Sequence, residues 1–239
     1  MEQMRGHSQR VKILVVDDDP QLLLLLVRNL QWEGYEVLTA DDGEQALGQV
    51  EANLPDLILL DVILPGLDGF QVCQRVREFS VVPIMCMTAR GHDQEKDRLL
   101  ELGADDYMTK PFDMSELLTR IHAVLHTQLM SHTPGKASSS TTIGDLTVNY
   151  ARAQVMMAGR EVPLTPVEYR LVACLAQHAG RIVPQDFLLE QVWGKAQGGD
   201  HHLLQVHINR LRRKLEPDPA RPRYLLTKHG IGYLLINPV

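Results

Sequence analysis

Four short aliphatic runs in the first half of the chain each end on polar residues able to do chemistry. Asp17-Asp18-Asp19-Pro20 follows Leu14-Val15-Val16, Asp61 follows Leu57 to Leu60, Thr88-Ala89 follows Met85-Cys86-Met87, and Lys110-Pro111-Phe112 follows Tyr107-Met108-Thr109. Carboxylates close together repel one another unless a cation sits among them, and Mg2+ favours a few carboxylates together with waters and phosphoryl oxygens. Lys110 then offers a point charge to a phosphoryl group and Thr88 a hydrogen bond. Singly, each cluster has an ordinary reading: an Asp run that caps a helix, an Asp that caps a turn, a Lys-Pro loop, a satisfied strand-end hydroxyl. The chemical reading requires that all four share one edge of one sheet.

The intervening sequence supplies that arrangement. Residues 13–16, 36–39, 57–60, 83–87 and 106–109 have the length and flanks of buried strands. Residues 21–32, 43–52, 69–79, 93–102 and 115–125 carry helical periodicity. Five alternating units predict a parallel sheet covered on both faces, a (βα)5 flavodoxin-like α/β domain, with every strand C-terminus on one edge. Ligands of open α/β sheets bind at that edge, which puts Asp61 in the crevice.

The chain has 239 residues, 44% of them hydrophobic and 23% charged, enough for one large or two ordinary domains with real cores. The polar start and the short Leu22–Val27 run predict no secretory signal and no membrane span, hence a cytoplasmic protein. Cys73, Cys86 and Cys174 are far apart and predict reduced thiols rather than a disulfide frame or zinc site. Residues 11–126 hold 9 Lys and Arg against 21 Asp and Glu, a balance of −12, whereas residues 143–239 hold 12 against 8, a balance of +4. Nucleic acid would be repelled by the first part and tolerated by the second.

The runs Val-Val-Asp17-Asp18-Asp19, Leu-Leu-Asp61-Val-Ile-Leu-Pro-Gly-Leu-Asp-Gly, Met-Thr88-Ala-Arg and Gly-Ala-Asp-Asp-Tyr107-Met-Thr-Lys110-Pro111-Phe resemble the receiver domain of two-component response regulators. That resemblance covers residues 1–126. It implies that Asp61 takes a phosphoryl group from a sensor histidine kinase. It also implies that Asp18, Asp61 and the carbonyl of Ile63 hold Mg2+ with Asp17 acting through water, and that Lys110 and Thr88 contact the phosphoryl oxygens. Thr88 and Tyr107 would be the switch residues. Lys96, Asp105, Asp106, Glu116 and Arg120 would form a homodimer face, with Lys96 to Glu116 and Asp106 to Arg120 pairing between copies.

Residues 127–142, rich in Ser, Thr, Pro and Gly, read as a flexible tether. Such a tether favours coupling through dimerisation over coupling through a rigid contact between domains. In residues 143–239, short strands at 143–148, 155–157 and 161–163 precede helices at 166–178, 184–193 and 201–215 and a hairpin of strands 223–227 and 231–236. The last helix holds four Lys and Arg and no acid. Its Leu204, Ile208, Leu211 and Leu215 form one stripe, with Gln205, Asn209, Arg212 and Arg213 off it. A cationic helix of this kind beside a basic hairpin tip is the winged helix-turn-helix pattern, which can enter a major groove and touch the neighbouring minor groove.

Leu-Thr-Pro-Val-Glu-Tyr-Arg-Leu, Val-Trp-Gly, Val-His-Ile-Asn-Arg-Leu-Arg-Arg-Lys-Leu and Thr-Lys-His-Gly-Ile-Gly-Tyr resemble the effector domain of OmpR/PhoB-type regulators. This resemblance implies base reading by Arg210, with Asn209 and Gln205 nearby. Backbone or wing contacts would come from Trp193, His202, His207, Arg212, Arg213, Thr227, Lys228, His229 and Tyr233. The partners implied are promoter DNA, bound by a dimer at tandem half-sites, and RNA polymerase. The segment from Leu215 to Thr227 further resembles KdpE-like members, implying control of potassium-transport genes. A rival reading, an Asp-nucleophile phosphatase, needs a second acid close after Asp61, where Val62-Ile63 stands instead. A third, a constitutive DNA-binding protein, leaves the complete acid, Thr and Lys set without a use.

Overall fold

The computed structural model describes residues 10–89, 93–125, 140–194 and 199–238. The first unit runs β1 (Lys12–Val16), α1 (Pro20–Trp32), β2 (Glu36–Ala40), α2 (Gly43–Asn53), β3 (Leu57–Asp61), α3 (Gly69–Phe79), β4 (Ile84–Ala89), α4 (Asp93–Leu102), β5 (Asp106–Lys110) and α5 (Met114–Leu125). Its sheet is parallel throughout in the order β2-β1-β3-β4-β5. The winding direction therefore reverses between β1 and β3, and the acids at the ends of these two strands flank the reversal.

Strand alternation divides the core. Leu14, Val16, Ile58, Leu60, Ile84 and Cys86 pack on the side of α2, α3 and α4, and Ile13, Val15, Leu57, Leu59, Met85 and Met87 on the side of α1 and α5. A sheet buried on both faces explains why the strands read as continuous aliphatic runs rather than alternating ones. Asp19, Asp42 and Asp68 cap α1, α2 and α3 by accepting from the backbone N–H of Gln21, Gln45 and Gln71. So part of the acid surplus of this unit holds helix starts and leaves Asp17, Asp18 and Asp61 for the crevice.

The second unit has a four-stranded antiparallel sheet of β6 (Ser140–Ile143), β7 (Leu146–Asn149), β8 (Gln154–Met157) and β9 (Arg160–Glu161). Three helices follow, α6 (Pro166–Gln177), α7 (Gln185–Trp193) and α8 (His201–Leu215), with β10 (Ile182–Pro184) between the first two. A hairpin of β11 (Leu225–Lys228) and β12 (Gly232–Leu235) closes the unit, and β10 pairs with β12. Three details depart from the sequence reading. The expected tether lies outside the described residues as far as 139, but its last three positions, 140–142, belong to β6. The single strand expected at 143–148 is a hairpin turning at Gly144, whose φ is +60°. The strand β10 went unforeseen because three residues are too few to show a period.

The two units pack together, with apolar burial running continuously from the α3–α4 side of the receiver sheet into the second unit. α8 lies against α4, and α7 lies against α5. The two units are therefore in contact with each other. A flexible connector leaves its two ends free to meet, and whether they do depends on the surfaces.

Candidate phosphoacceptor pocket and DNA-reading helix

Four strand ends build the pocket. Asp17 is fully buried and Asp61 nearly so, while Asp18 faces solvent, and one carboxylate oxygen from each lies within 4.8 Å of the others. Lys110 places Nζ 2.6 Å from Asp17 Oδ2 and 2.6 Å from Asp61 Oδ2, bridging β1 and β3 from the end of β5. The backbone fixes the remaining oxygens: Asp19 N–H donates to Asp17 Oδ1 at 3.0 Å and Ile63 N–H to Asp61 Oδ1 at 3.2 Å. Gly69 makes this corner possible, because a Cβ there would stand 2.3 Å from the carbonyl oxygen of Asp61.

Burial raises the Asp61 carboxyl above its ordinary range, and the ammonium of Lys110 works against that rise. Burial by itself would lower Lys110, but its bonds to Asp17 and Asp61 outweigh this and raise it. The acid is thus neither solvated nor fully neutralised, a state that a further cation among the three carboxylates would relieve. The donor set fits Mg2+: hard oxygens from three carboxylates, one of them the solvent-facing Asp18. Thr88 is buried at the end of β4, and its hydroxyl donates to the Ala89 carbonyl at 3.1 Å. The motif residue after Ala89 lies outside the described residues.

The face expected to pair two copies is differently occupied. Asp105 is buried, 1% exposed: its Oδ2 accepts from Arg77 at 2.7 Å and from the Ile84 N–H, and its Oδ1 accepts from Thr165 Oγ1 of the second unit at 2.6 Å. Arg77 and Arg210 hold this carboxyl below its ordinary range despite burial. It is therefore no surface charge. Asp106 and Glu116 both pair with Arg120 of their own chain, at 3.3 and 2.6 Å, so these charges are satisfied within the molecule. Lys96 lies over the Tyr107 ring, 5.3 Å from its centroid. The Tyr107 hydroxyl donates to Oδ2 of Asp200 at 2.5 Å, and burial, followed by that bond, raises its pKa.

On α8 the expected stripe of Leu204, Ile208, Leu211 and Leu215 is buried, and Gln205, Asn209 and Arg213 are exposed. Arg210, which the resemblance assigns to base reading, is 8% exposed, donating from Nη1 to the Ala104 carbonyl at 2.8 Å and from Nη2 to the Gly103 carbonyl at 3.1 Å, both in the receiver. Trp193 and His207 are likewise buried, and both donate to the Asp105 carbonyl, at 3.1 Å each. Half-exposed His202 pairs with Asp97 of α4 at 2.6 Å. Arg212 spends its guanidinium on the hairpin, donating to the Leu225 carbonyl and to Thr227 Oγ1 at 2.8 Å, and Tyr233 is buried in β12. Lys228 and His229 stand exposed at the hairpin tip.

Sequence reasoning missed the residues that make this contact, namely Asp97, Gly103, Ala104, Thr165 and Asp200. Thr165 and Asp200 stand just before the helices expected at 166–178 and 201–215. Two of the others contribute a backbone carbonyl, an acceptor that every residue possesses.

An α/β domain with a carboxylate pocket bridged by a lysine, joined to a winged-helix domain, defines a class: a phosphoacceptor receiver coupled to a DNA-binding effector. Residues 13–122 match the family described as response regulator receiver domain, and residues 159–235 match transcriptional regulatory protein, C terminal. The chain is 40% identical over 233 residues to the alkaline phosphatase synthesis transcriptional regulatory protein PhoP of Bacillus subtilis, covering 95% of this chain and 97% of that protein. Among solved structures it is similar to DrrB, an OmpR/PhoB homolog of Thermotoga maritima, at 31% identity and a TM-score of 0.51, covering 95% and 99% of the two chains. A RitR mutant matches at 26% identity and a TM-score of 0.73, covering 94% and 98%. The chain belongs to the OmpR/PhoB family of two-component response regulators, which are DNA-binding transcription factors and not enzymes. The family implies a cognate histidine kinase and DNA as partners. Among the described residues no helix is long and apolar enough to cross a membrane.

Proposed function

We propose that Asp61 accepts a phosphoryl group from a phosphohistidine of a cytoplasmic sensor kinase domain, and that the phosphorylated chain acts as a dimer on promoter DNA. The observation that carries this reading is Lys110 bridging the buried Asp17 and Asp61 beside the open Asp18. In-line displacement at phosphorus needs positioning and charge neutralisation more than covalent machinery. Asp61 supplies the nucleophilic oxygen, the Ile63 N–H orients its carboxylate, and Lys110 is within reach of the incoming phosphoryl oxygens. Asp18, Asp61 and the carbonyl of Ile63 would hold Mg2+, with Asp17 acting through water; bound there, the ion neutralises charge on the transferring group. Thr88, after release from Ala89, would bond a phosphoryl oxygen.

Downstream, once the effector leaves the receiver, the face of Lys96, Asp105, Asp106, Glu116 and Arg120 would pair two copies, and tandem half-sites would place two α8 helices in successive major grooves. Arg210, freed from the Gly103 and Ala104 carbonyls, would read bases with Asn209 and Gln205. Trp193, His202, His207, Arg212, Arg213, Thr227, Lys228, His229 and Tyr233 would hold the backbone and the minor groove, and RNA polymerase would be engaged from the same complex. Potassium-transport genes are the regulon that the Leu215–Thr227 resemblance favours, whereas the name of the Bacillus subtilis relative points to alkaline phosphatase synthesis.

Two measurements test this. Incubation with a labelled small phosphodonor and Mg2+ should give acid-stable, base-labile incorporation into the wild type and none into Asp61→Asn; equal labelling of both would refute the assignment. Selection of bound fragments from a genomic library, followed by sequencing, should return paired repeats one helical turn apart. Fragments without a repeat would remove the tandem arrangement.

A further inference from the structure

We propose that Ile231, at the tip of the β11–β12 hairpin, packs its side chain into the minor groove beside the α8 site and selects A·T over G·C pairs there. This rests on the reading above that α8 enters DNA. Among the described residues of the effector, the large apolar side chains left exposed are Ile182, Phe187 and Ile231, and Ile231 is the most open of them at 56%. Phe187 at least stands edge-on to His178, with ring centroids 5.5 Å apart. Single exposed apolar residues are ordinary on protein surfaces, so exposure by itself assigns nothing. The way this residue is held does.

Both backbone polar groups of Ile231 are already used. Its N–H donates to the Lys228 carbonyl at 3.0 Å, and its carbonyl accepts from the Gln185 N–H, at the start of α7, at 3.2 Å. The side chain is then the only group that the residue can offer a partner. The tip is also fixed in place: Gly230 turns the chain at a φ of +73°, and a Cβ on Gly232 would stand 1.9 Å from the Val183 carbonyl oxygen, so β12 lies tight against β10. Arg212 of α8 donates to the Leu225 carbonyl and to Thr227 Oγ1, both at 2.8 Å, which ties the hairpin to the reading helix. A tip held in this way loses little freedom on binding. Its occupant follows from charge and position. Lys228 and His229 stand exposed immediately before the tip, and cationic side chains are drawn to the negative potential of a narrow minor groove, the groove that adjoins one filled by α8. The floor of that groove carries acceptors at every base pair, and only G·C adds a donor, the guanine N2 amino group, which also stands up from the floor. An aliphatic side chain can neither accept from that group nor share its space, and leaving it unpaired costs affinity.

The test uses the full chain, activated with the acyl phosphate mimic beryllofluoride, and the DNA fragment that it selects. Each A·T pair of the fragment is replaced in turn by G·C and by inosine·cytosine, which keeps the major-groove edge of G·C but lacks the N2 amino group. Positions read by α8 in the major groove should lose affinity with both replacements. At least one position per half-site should lose about tenfold with G·C and little with inosine·cytosine. In Ile231→Ser, whose hydroxyl can accept from the amino group, that split should shrink to about twofold or less, with thermal unfolding unchanged because the side chain is exposed. Ile231→Ala should bind the selected fragment severalfold more weakly at an unaltered salt slope, whereas Lys228→Ala should reduce the slope by about one and keep the split. Absence of any such position, or a split of the same size in Ile231→Ser, would overturn the contact. A loss in Ile231→Ala confined to fragments with two repeats, and absent on a single half-site, would set Ile231 against a neighbouring copy and overturn it too. Failure of the activated wild type to bind any DNA would overturn the DNA reading itself, and this contact with it.

Discussion

Lys110 is the residue whose two bonds organise the pocket, and its removal separates two effects. Without it, buried Asp17 and Asp61 face each other uncompensated, and breaking a buried charge pair costs on the order of 3 kcal/mol. Lys110→Ala should therefore lower stability to urea in the absence of divalent ions, and millimolar Mg2+ should restore more of the loss than it adds to the wild type; equal shifts would argue against the ion site. Gly69→Ala tests the corner instead. Its Cβ meets backbone at 2.3 Å, so the start of α3 must shift, with an expected destabilisation of about 1–3 kcal/mol and reduced labelling of Asp61. Thermal unfolding together with phosphodonor labelling measures both.

Helix starts matter beyond their own turn. Asp200 caps α8 and accepts the Tyr107 hydroxyl, so Asp200→Ala should cost about 0.5–2 kcal/mol of effector stability through the cap alone. It should also loosen docking, raising Trp193 quenching where Tyr107→Phe, which leaves the cap intact, raises it less. At the other end of the effector core, Thr165 and Glu168 form a reciprocal capping box, and Glu168 Oε2 also accepts from Lys214 of α8 at 2.6 Å. This bond ties α6 to α8. Leu211→Ala, which empties a fully buried site beneath α8, should cost about 2–5 kcal/mol and weaken binding to all DNA sequences alike, as a gel-shift comparison of selected and scrambled fragments would show.

Across the whole molecule the receiver face has two claims on it, docking of α7 and α8 and the internal pairs of Arg120, and the proposed dimer would add a second receiver as a third. Competition of this kind makes phosphorylation and DNA binding linked equilibria. Whatever factor beryllofluoride contributes to affinity for the selected DNA, that DNA must contribute to beryllofluoride affinity. Titrating the mimic with and without saturating DNA should return equal factors, and unequal ones would mean that a third state intervenes. The acidic receiver, at −12, would also repel the duplex while docked beside α8, so opening should be worth more at low salt than at high.

The strand runs and the polar residues that end them were sufficient to place Asp17, Asp18, Asp61, Thr88 and Lys110 on one edge. A parallel sheet puts every strand C-terminus on the same side, whatever the packing details. The α8 stripe was equally legible, because 3.6-residue periodicity is a property of the sequence alone. The surroundings of Asp105 and Arg210 were not legible. Asp105 looked like a surface acid, yet it is buried under Arg77 and Thr165, and Arg210, assigned to base reading, is held by receiver carbonyls. Local periodicity assigns a residue to a face of its own helix. Which partner covers that face is decided by contacts between residues about a hundred positions apart, and several of the atoms involved belong to the backbone, which carries no sequence signature.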